Sequence, residues 1–178
     1  FCGIRHASEY HRNKGKAEGR DYARNLSTAS EAAIIADPGQ PNYSAANAGI
    51  IPITNGAAQA LAKYGITANT FMPRARTAMT LVGQTAQFFE KPDEGFDTFA
   101  PENTSPLVGW LASPAAANVS GNVFIVWGKQ ISVMEFPKHA GDFENEDAWT
   151  FESVGAKLGG FFEGKQPIKD SFIPPNVF

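Results

Sequence analysis

The sequence predicts an α/β fold built around a parallel sheet, and two patterns carry that prediction. Short β-rich runs alternate with longer helical stretches, and clusters of Gly, Pro, Asn and Asp separate them. The run Gly121-Asn122-Val123-Phe124-Ile125-Val126-Trp127 is compact and continuously apolar after its first two residues, which suits a strand buried on both faces.

The elements follow in chain order. Residues 2–12 are mostly helix-tolerant, and the charged stretch 13–21, punctuated by Gly15 and Gly19, reads as an exposed loop. Residues 24–29 read as a strand leading into the turn-rich Asp37-Pro38-Gly39-Gln40-Pro41. Alanines dominate 44–62, a long helix expected to stop at Lys63-Tyr64-Gly65, where glycine supplies a left-handed cap. Pro52 falls inside that helix, where it removes a hydrogen bond at ~3 kcal/mol unless a kink is accommodated. Residues 66–72 form a strand ended by Pro73. Residues 74–103 mix Gly, Pro, Thr, Phe and charge without a period, as a lid-like loop with a short helix would. A helix over 106–113, the strand over 121–127, a helix over 151–162 and a Pro-rich end complete the chain. No repeat or second core is visible, so one domain is expected over 1–178, with 136–178 as a carboxyl-terminal extension.

Composition narrows the function classes. Of the 178 residues, 43% are hydrophobic and 19% charged, the ordinary range for a globular protein. A net charge of −3 offers no basic face for phosphates, so nucleic acid is not an expected partner. The longest apolar stretch, near Val123 to Trp127, is far short of the ~20 residues that span a bilayer, so no membrane partner is expected either. With one cysteine, Cys2, and no basic-then-apolar leader, a cytoplasmic setting is expected. The four Asn-X-Ser/Thr matches, at Asn25, Asn42, Asn103 and Asn118, are then read as chance.

Few residue patterns carry chemistry. Tyr43 and Asn47 are four apart at the start of the long helix and so project from one face. Ser30 lies in the turn after the preceding strand, at the carboxyl end where open α/β sheets place ligands. Gly159 to Gln166 nearly matches a phosphate-binding loop, but Gln166 stands where magnesium needs Ser or Thr, and a helix precedes it rather than a strand. His6, His11 and His139 lack metal-ligand spacing and read as surface residues, and Glu144, Glu146 and Asp147 read as an exposed acidic turn.

Four runs in order resemble the short-chain dehydrogenase/reductase family. They are Ser27-Thr28-Ala29-Ser30 with Gly39-Gln40-Pro41-Asn42-Tyr43-Ser44-Ala45-Ala46-Asn47; Tyr64-Gly65-Ile66-Thr67-Ala68-Asn69; Pro73-Arg74-Ala75-Arg76-Thr77; and Ser113-Pro114-Ala115-Ala116 with Gly121-Asn122-Val123-Phe124. The version with Pro-Arg-Ala-Arg-Thr is most similar to actinobacterial hydroxysteroid dehydrogenase or 3-oxoacyl reductase members. The resemblance implies a Rossmann-like three-layer fold of which the amino-terminal βαβ units, with their glycine-rich cofactor fingerprint, are not in this sequence. It implies NAD or NADP as cofactor, a small-molecule alcohol/ketone substrate and a homo-oligomer paired through the first two long helices. By the same resemblance Tyr43 is the general acid/base, Ser30 polarises the substrate carbonyl, and Pro73, Arg74 and Thr77 lie against the nicotinamide.

The sequence also departs from the family. Asn47 occupies the position of the lysine that holds the ribose and favours the tyrosinate. An asparagine hydrogen-bonds a hydroxyl but supplies no charge. Weakened acid/base assistance costs ~10²–10⁴ in rate, which leaves a second expectation, an impaired relative serving as a binding or oligomerisation module. Arg74 and Arg76 are read as solvated or phosphate-facing, with partial replacement of the lost charge as the alternative. Ala33 and Lys129 stand where the family usually has glycine.

Overall fold

The computed structural model describes residues 1–19, 21–35, 39–83, 86–135 and 137–166. Two compact units emerge, Phe1–Glu135 and Phe136–Phe178. The first contains a four-stranded sheet in the order β1 (Arg24–Thr28), β2 (Thr67–Pro73), β3 (Val123–Trp127), β4 (Gln130–Met134). The first three strands are parallel, with Thr28 opposite Phe71 and Pro73 opposite Val126. β4 returns antiparallel to β3, a strand the sequence reading did not include.

Helices α1 (Cys2–Glu18), α2 (Ala32–Ile35) and α3 (Pro41–Leu61) pack on one face of this sheet, and α4 (Ser105–Ala112) covers the other. The alternation of side chains along the strands makes those three layers. From β2, Ala68 and Met72 face α3, whereas Phe71 faces α4; from β3, Val123 and Ile125 point to the first side and Phe124 and Val126 to the second. Ile66, Met72, Leu111 and Val126 are each less than 2% exposed, and burial of such side chains contributes about 1.5–3 kcal/mol apiece. Two buried polar ties fix the layers. Thr54 Oγ1 donates to Ser27 Oγ at 2.8 Å, joining α3 to β1. The fully buried Asn69 donates to the Val119 carbonyl at 2.7 Å and accepts from the Asn122 N–H at 3.1 Å, joining β2 to the turn before β3.

Two expectations are corrected. The loop expected over 13–21 is helix as far as Glu18, because Gly15 serves a contact: a Cβ there would stand 2.9 Å from Tyr64 Cβ. The positive φ of 84° at Gly19 then ends the helix. The long helix starts at Pro41, three residues early, since a proline's fixed φ and missing N–H suit a first turn. A 3₁₀ turn, Ala62–Tyr64, extends it before Gly65 caps with φ 82°. Pro52 lies within α3 as expected.

The second unit contains α5 (Phe151–Phe162), whose Thr150 and Ser153 form a capping box, with Phe143, Phe161 and Phe162 in edge-to-face contact. The expected Pro-rich end beyond 166 and the turn residues Asp37 and Pro38 lie outside the described residues.

Candidate active site

The parallel strands all end at one edge, and Ser30 follows β1 there, as Thr77 follows β2. Beneath it lies a cluster of Ala29, Met72 and Ile125, joined by Ile34 of α2, by Ile50 and Ile51 of α3, and by Trp127. This packing brings the amino-terminal half of α3, with Tyr43 and Asn47, to the carboxyl end of β1. The carboxyl-terminal half of α3 packs instead on Ala23, Ile66 and Ala68 at the opposite end.

Ser30 opens the short helix α2; its Oγ accepts the Ala32 N–H at 3.3 Å, and its carbonyl accepts the Ala33 N–H at 2.9 Å. Tyr43 sits in the first turn of α3 and is 46% exposed. Asn47, one turn on, is 9% exposed, and its Nδ2 donates to the Tyr43 carbonyl at 3.0 Å. Pro73 ends β2 and pairs with Val126. Thr77 lies in an exposed turn, its Oγ1 accepting from the N–H groups of Met79 and Thr80. The hydroxyl protons of Ser30, Tyr43 and Thr77 have no acceptor among the described residues, nor has Asn47 Oδ1 a donor. These spare groups match the nicotinamide end of a dinucleotide, whose ribose offers hydroxyls and whose carboxamide accepts through its oxygen.

The two arginines do not face solvent or phosphate. Arg74 makes a two-pronged ion pair with Glu31, Nη2 reaching Oε2 at 2.6 Å, and its guanidinium lies 4.7 Å from the centre of the Trp127 ring. Arg76 grips Asp97 in the same way, with Nη1 to Oδ1 at 3.0 Å, and donates to the Phe89 carbonyl at 3.3 Å. These bonds hold the Asp97 carboxyl below its usual range and raise the Arg76 guanidinium. The sequence assigns no role to Glu31 or Asp97, because they stand 43 and 21 residues from their arginines.

The segment read as a lid is anchored at its base. Asn103 Nδ2 donates to the carbonyls of Asp97 and Thr98, and the Phe99 ring stacks 6.0 Å from Trp127. Thr98 lies against Gly128, where a Cβ would come within 2.9 Å of its methyl, so a glycine with φ 53° is required at that turn. Lys129, beside it, stands 4.7 Å over the Phe96 ring. Above that base the segment exposes Met79, Leu81, Val82 and Phe88.

The remaining motifs resolve plainly. The phosphate-loop near match is the end of α5 and the turn at Gly164, with Lys165 over the Phe161 ring at 3.4 Å. His11 is not an idle surface residue: its Nδ1 lies 2.6 Å from Oδ2 of Asp21, whose other oxygen accepts from Lys14 at 2.9 Å. Those bonds hold the Asp21 carboxyl at about 2.

Sheet order, flanking layers and the polar groups at one edge define a Rossmann-like α/β protein. The chain belongs to the short-chain dehydrogenase/reductase family. It is 41% identical over 173 residues to hydroxyacyl-CoA dehydrogenase ChsB1 of Mycobacterium tuberculosis, an alignment covering 94% of this chain and 53% of that protein. It is 34% identical over 113 residues to a 3-oxoacyl-acyl-carrier-protein reductase of Synechocystis sp., covering 61% of this chain and 44% of the other. A crystal structure of a short chain dehydrogenase from Mycobacterium avium matches with a TM-score of 0.76 at 35% identity, covering 92% of this chain and 52% of that one. The chain thus spans about half the length of the curated relatives it matches. No protein-family model matches it. No helix among the described residues is long and apolar enough to cross a membrane.

Proposed function

We propose that this chain carries the acid/base half of an NAD(P)-dependent oxidoreductase that interconverts an alcohol and a ketone on a steroid-like or 3-oxoacyl-like substrate. What supports the reading is that Ser30 follows β1, that Tyr43 and Asn47 lie on the half of α3 packed beside Ala29 and Met72, and that Thr77 follows β2, with hydroxyl protons to spare. The names of the relatives, a hydroxyacyl-CoA dehydrogenase and a 3-oxoacyl reductase, support the substrate class. So does the exposed apolar surface of Met79, Leu81, Val82 and Phe88 on the segment after β2, where an acyl chain or sterol would gain burial.

In this reading the Ser30 hydroxyl donates to the substrate carbonyl oxygen and polarises it. Tyr43 passes its phenolic proton to the same oxygen in reduction and takes it back in oxidation. Asn47 Oδ1 accepts from a ribose hydroxyl, and the Thr77 hydroxyl donates to the carboxamide. When bound, the nicotinamide supplies or accepts the hydride. With no ammonium at position 47, proton transfer by Tyr43 is slowed rather than abolished. Titration with NADH and NADPH, followed by cofactor fluorescence, tests the reading: saturable enhancement is expected, and no binding at millimolar cofactor overturns it.

A second reading, an oligomerisation module, has its own observation. A groove of about 550 Å³ runs between α1 and α3, lined by Phe1, Ile4, Ile53, Ala57 and Leu61. These helices are the ones through which the family resemblance implies pairing. Light scattering is expected to give a mass at least twice that of the chain, and a strict monomer excludes this reading.

A further inference from the structure

Glu31 and Arg74 take no part in the chemistry just described, yet they join where β1 and β2 part. The ladder pairs Thr28 with Phe71, and the Ala29 N–H still donates to the Phe71 carbonyl at 2.9 Å. Continuing that register sets Glu31 opposite Arg74, so the ion pair prolongs the ladder beyond its last backbone bonds. Glu31 directly follows Ser30, and Arg74 opens the segment leading to Thr77. The two side chains are 11% and 17% exposed. The Arg74 N–H donates to the Val126 carbonyl at 3.0 Å, and its guanidinium covers Trp127, so this one residue ties the segment after β1 to the ends of β2 and β3.

Stability alone is a poor reason for such a pair, because desolvating two charges roughly cancels their attraction. What a two-pronged arginine–carboxylate pair supplies is direction, two parallel bonds that hold two planar groups in one geometry. We infer that Glu31 and Arg74 are positioning residues whose ion pair sets the spacing between Ser30 and the Thr77 turn. The carbonyl-polarising hydroxyl and the carboxamide contact are thereby held in one frame. This inference rests on the oxidoreductase reading above.

The test introduces Glu31→Gln, Arg74→Lys and the double change into the protein. Misplacement of a reacting group by about 1 Å costs on the order of 10²-fold. Each single variant is therefore expected to lower kcat about 10–100-fold with KM changed less than about threefold. The double variant is expected to lose no more than the worse single, since both act through one contact. An unchanged kcat per folded molecule, or losses that multiply in the double, overturns the inference. Amide exchange gives a second readout that needs no turnover: Glu31→Gln must speed exchange in 30–33 and in 74–80 together while 51–61 stays protected. Faster exchange in one segment alone overturns the positioning claim, whereas absence of turnover in the unaltered protein removes the oxidoreductase reading instead.

Discussion

Replacing Asn47 by lysine is the sharpest test of how this site differs from its relatives. Side chains four apart on a helix stand about 6 Å apart at Cβ. At that separation and an effective dielectric near 20, an ammonium stabilises a tyrosinate by about 2.8 kcal/mol, or about 10² in rate. Two costs oppose it. Asn47 is 9% exposed, so the new charge must reach outward along its own methylene stem. The Asn47 amide bond to the Tyr43 carbonyl is also lost, at about 1 kcal/mol. The variant should thus be about 1 kcal/mol less stable and yet about 100-fold faster in kcat for ketone reduction near neutral pH. Both are measurable, by steady-state absorbance of the reduced cofactor and by thermal unfolding. A folded variant with a rate within twofold of the unaltered protein would refute the account of the missing charge.

Other outcomes follow from particular contacts. Gly15→Ala forces a methyl into Tyr64 Cβ, an atom with no freedom to yield; overpacking of about 1–3 kcal/mol outweighs a helix gain of about 1, so the melting temperature should fall. Gly109→Ala in α4, with nothing within 4 Å, should raise it by the same measurement. Asn69→Ala strands the Val119 carbonyl and the Asn122 N–H and should cost about 1–3 kcal/mol for each in urea unfolding. The Asp21 carboxyl titrates at about 2 when folded against an ordinary 3.8, a depressed value. Its stabilisation is therefore complete above the ordinary value and lost as pH falls through about 2. Unfolding temperatures between pH 4 and pH 2 should drop less steeply in Asp21→Asn than in the unaltered protein.

What could be read from the chain was what local order encodes. β2 and β3 are buried on both faces, so continuous apolar or β-branched runs betray them, and Ser30 and Tyr43 sit in a run whose spacing is distinctive. β4 was missed because it is largely exposed, and its polar positions dilute the signal. Gly15 was misread as punctuation because its partner, Tyr64, lies 49 residues away and only the fold brings the two together. A separation of 43 residues likewise hid Glu31 from Arg74. The composition of a loop cannot tell a solvated guanidinium from one seated on a remote carboxylate.

One feature of the sheet bears on how the protein is handled. Among the described residues β1 is paired only with β2, so its outer row of N–H and C=O groups is a template for another strand. Its five residues, Arg-Asn-Leu-Ser-Thr, include no proline or glycine to blunt that edge, and four of them are already partly sheltered. A preparation of this chain by itself should therefore associate through that side as concentration rises, and extra polypeptide that adds a strand there should act as its solubility partner.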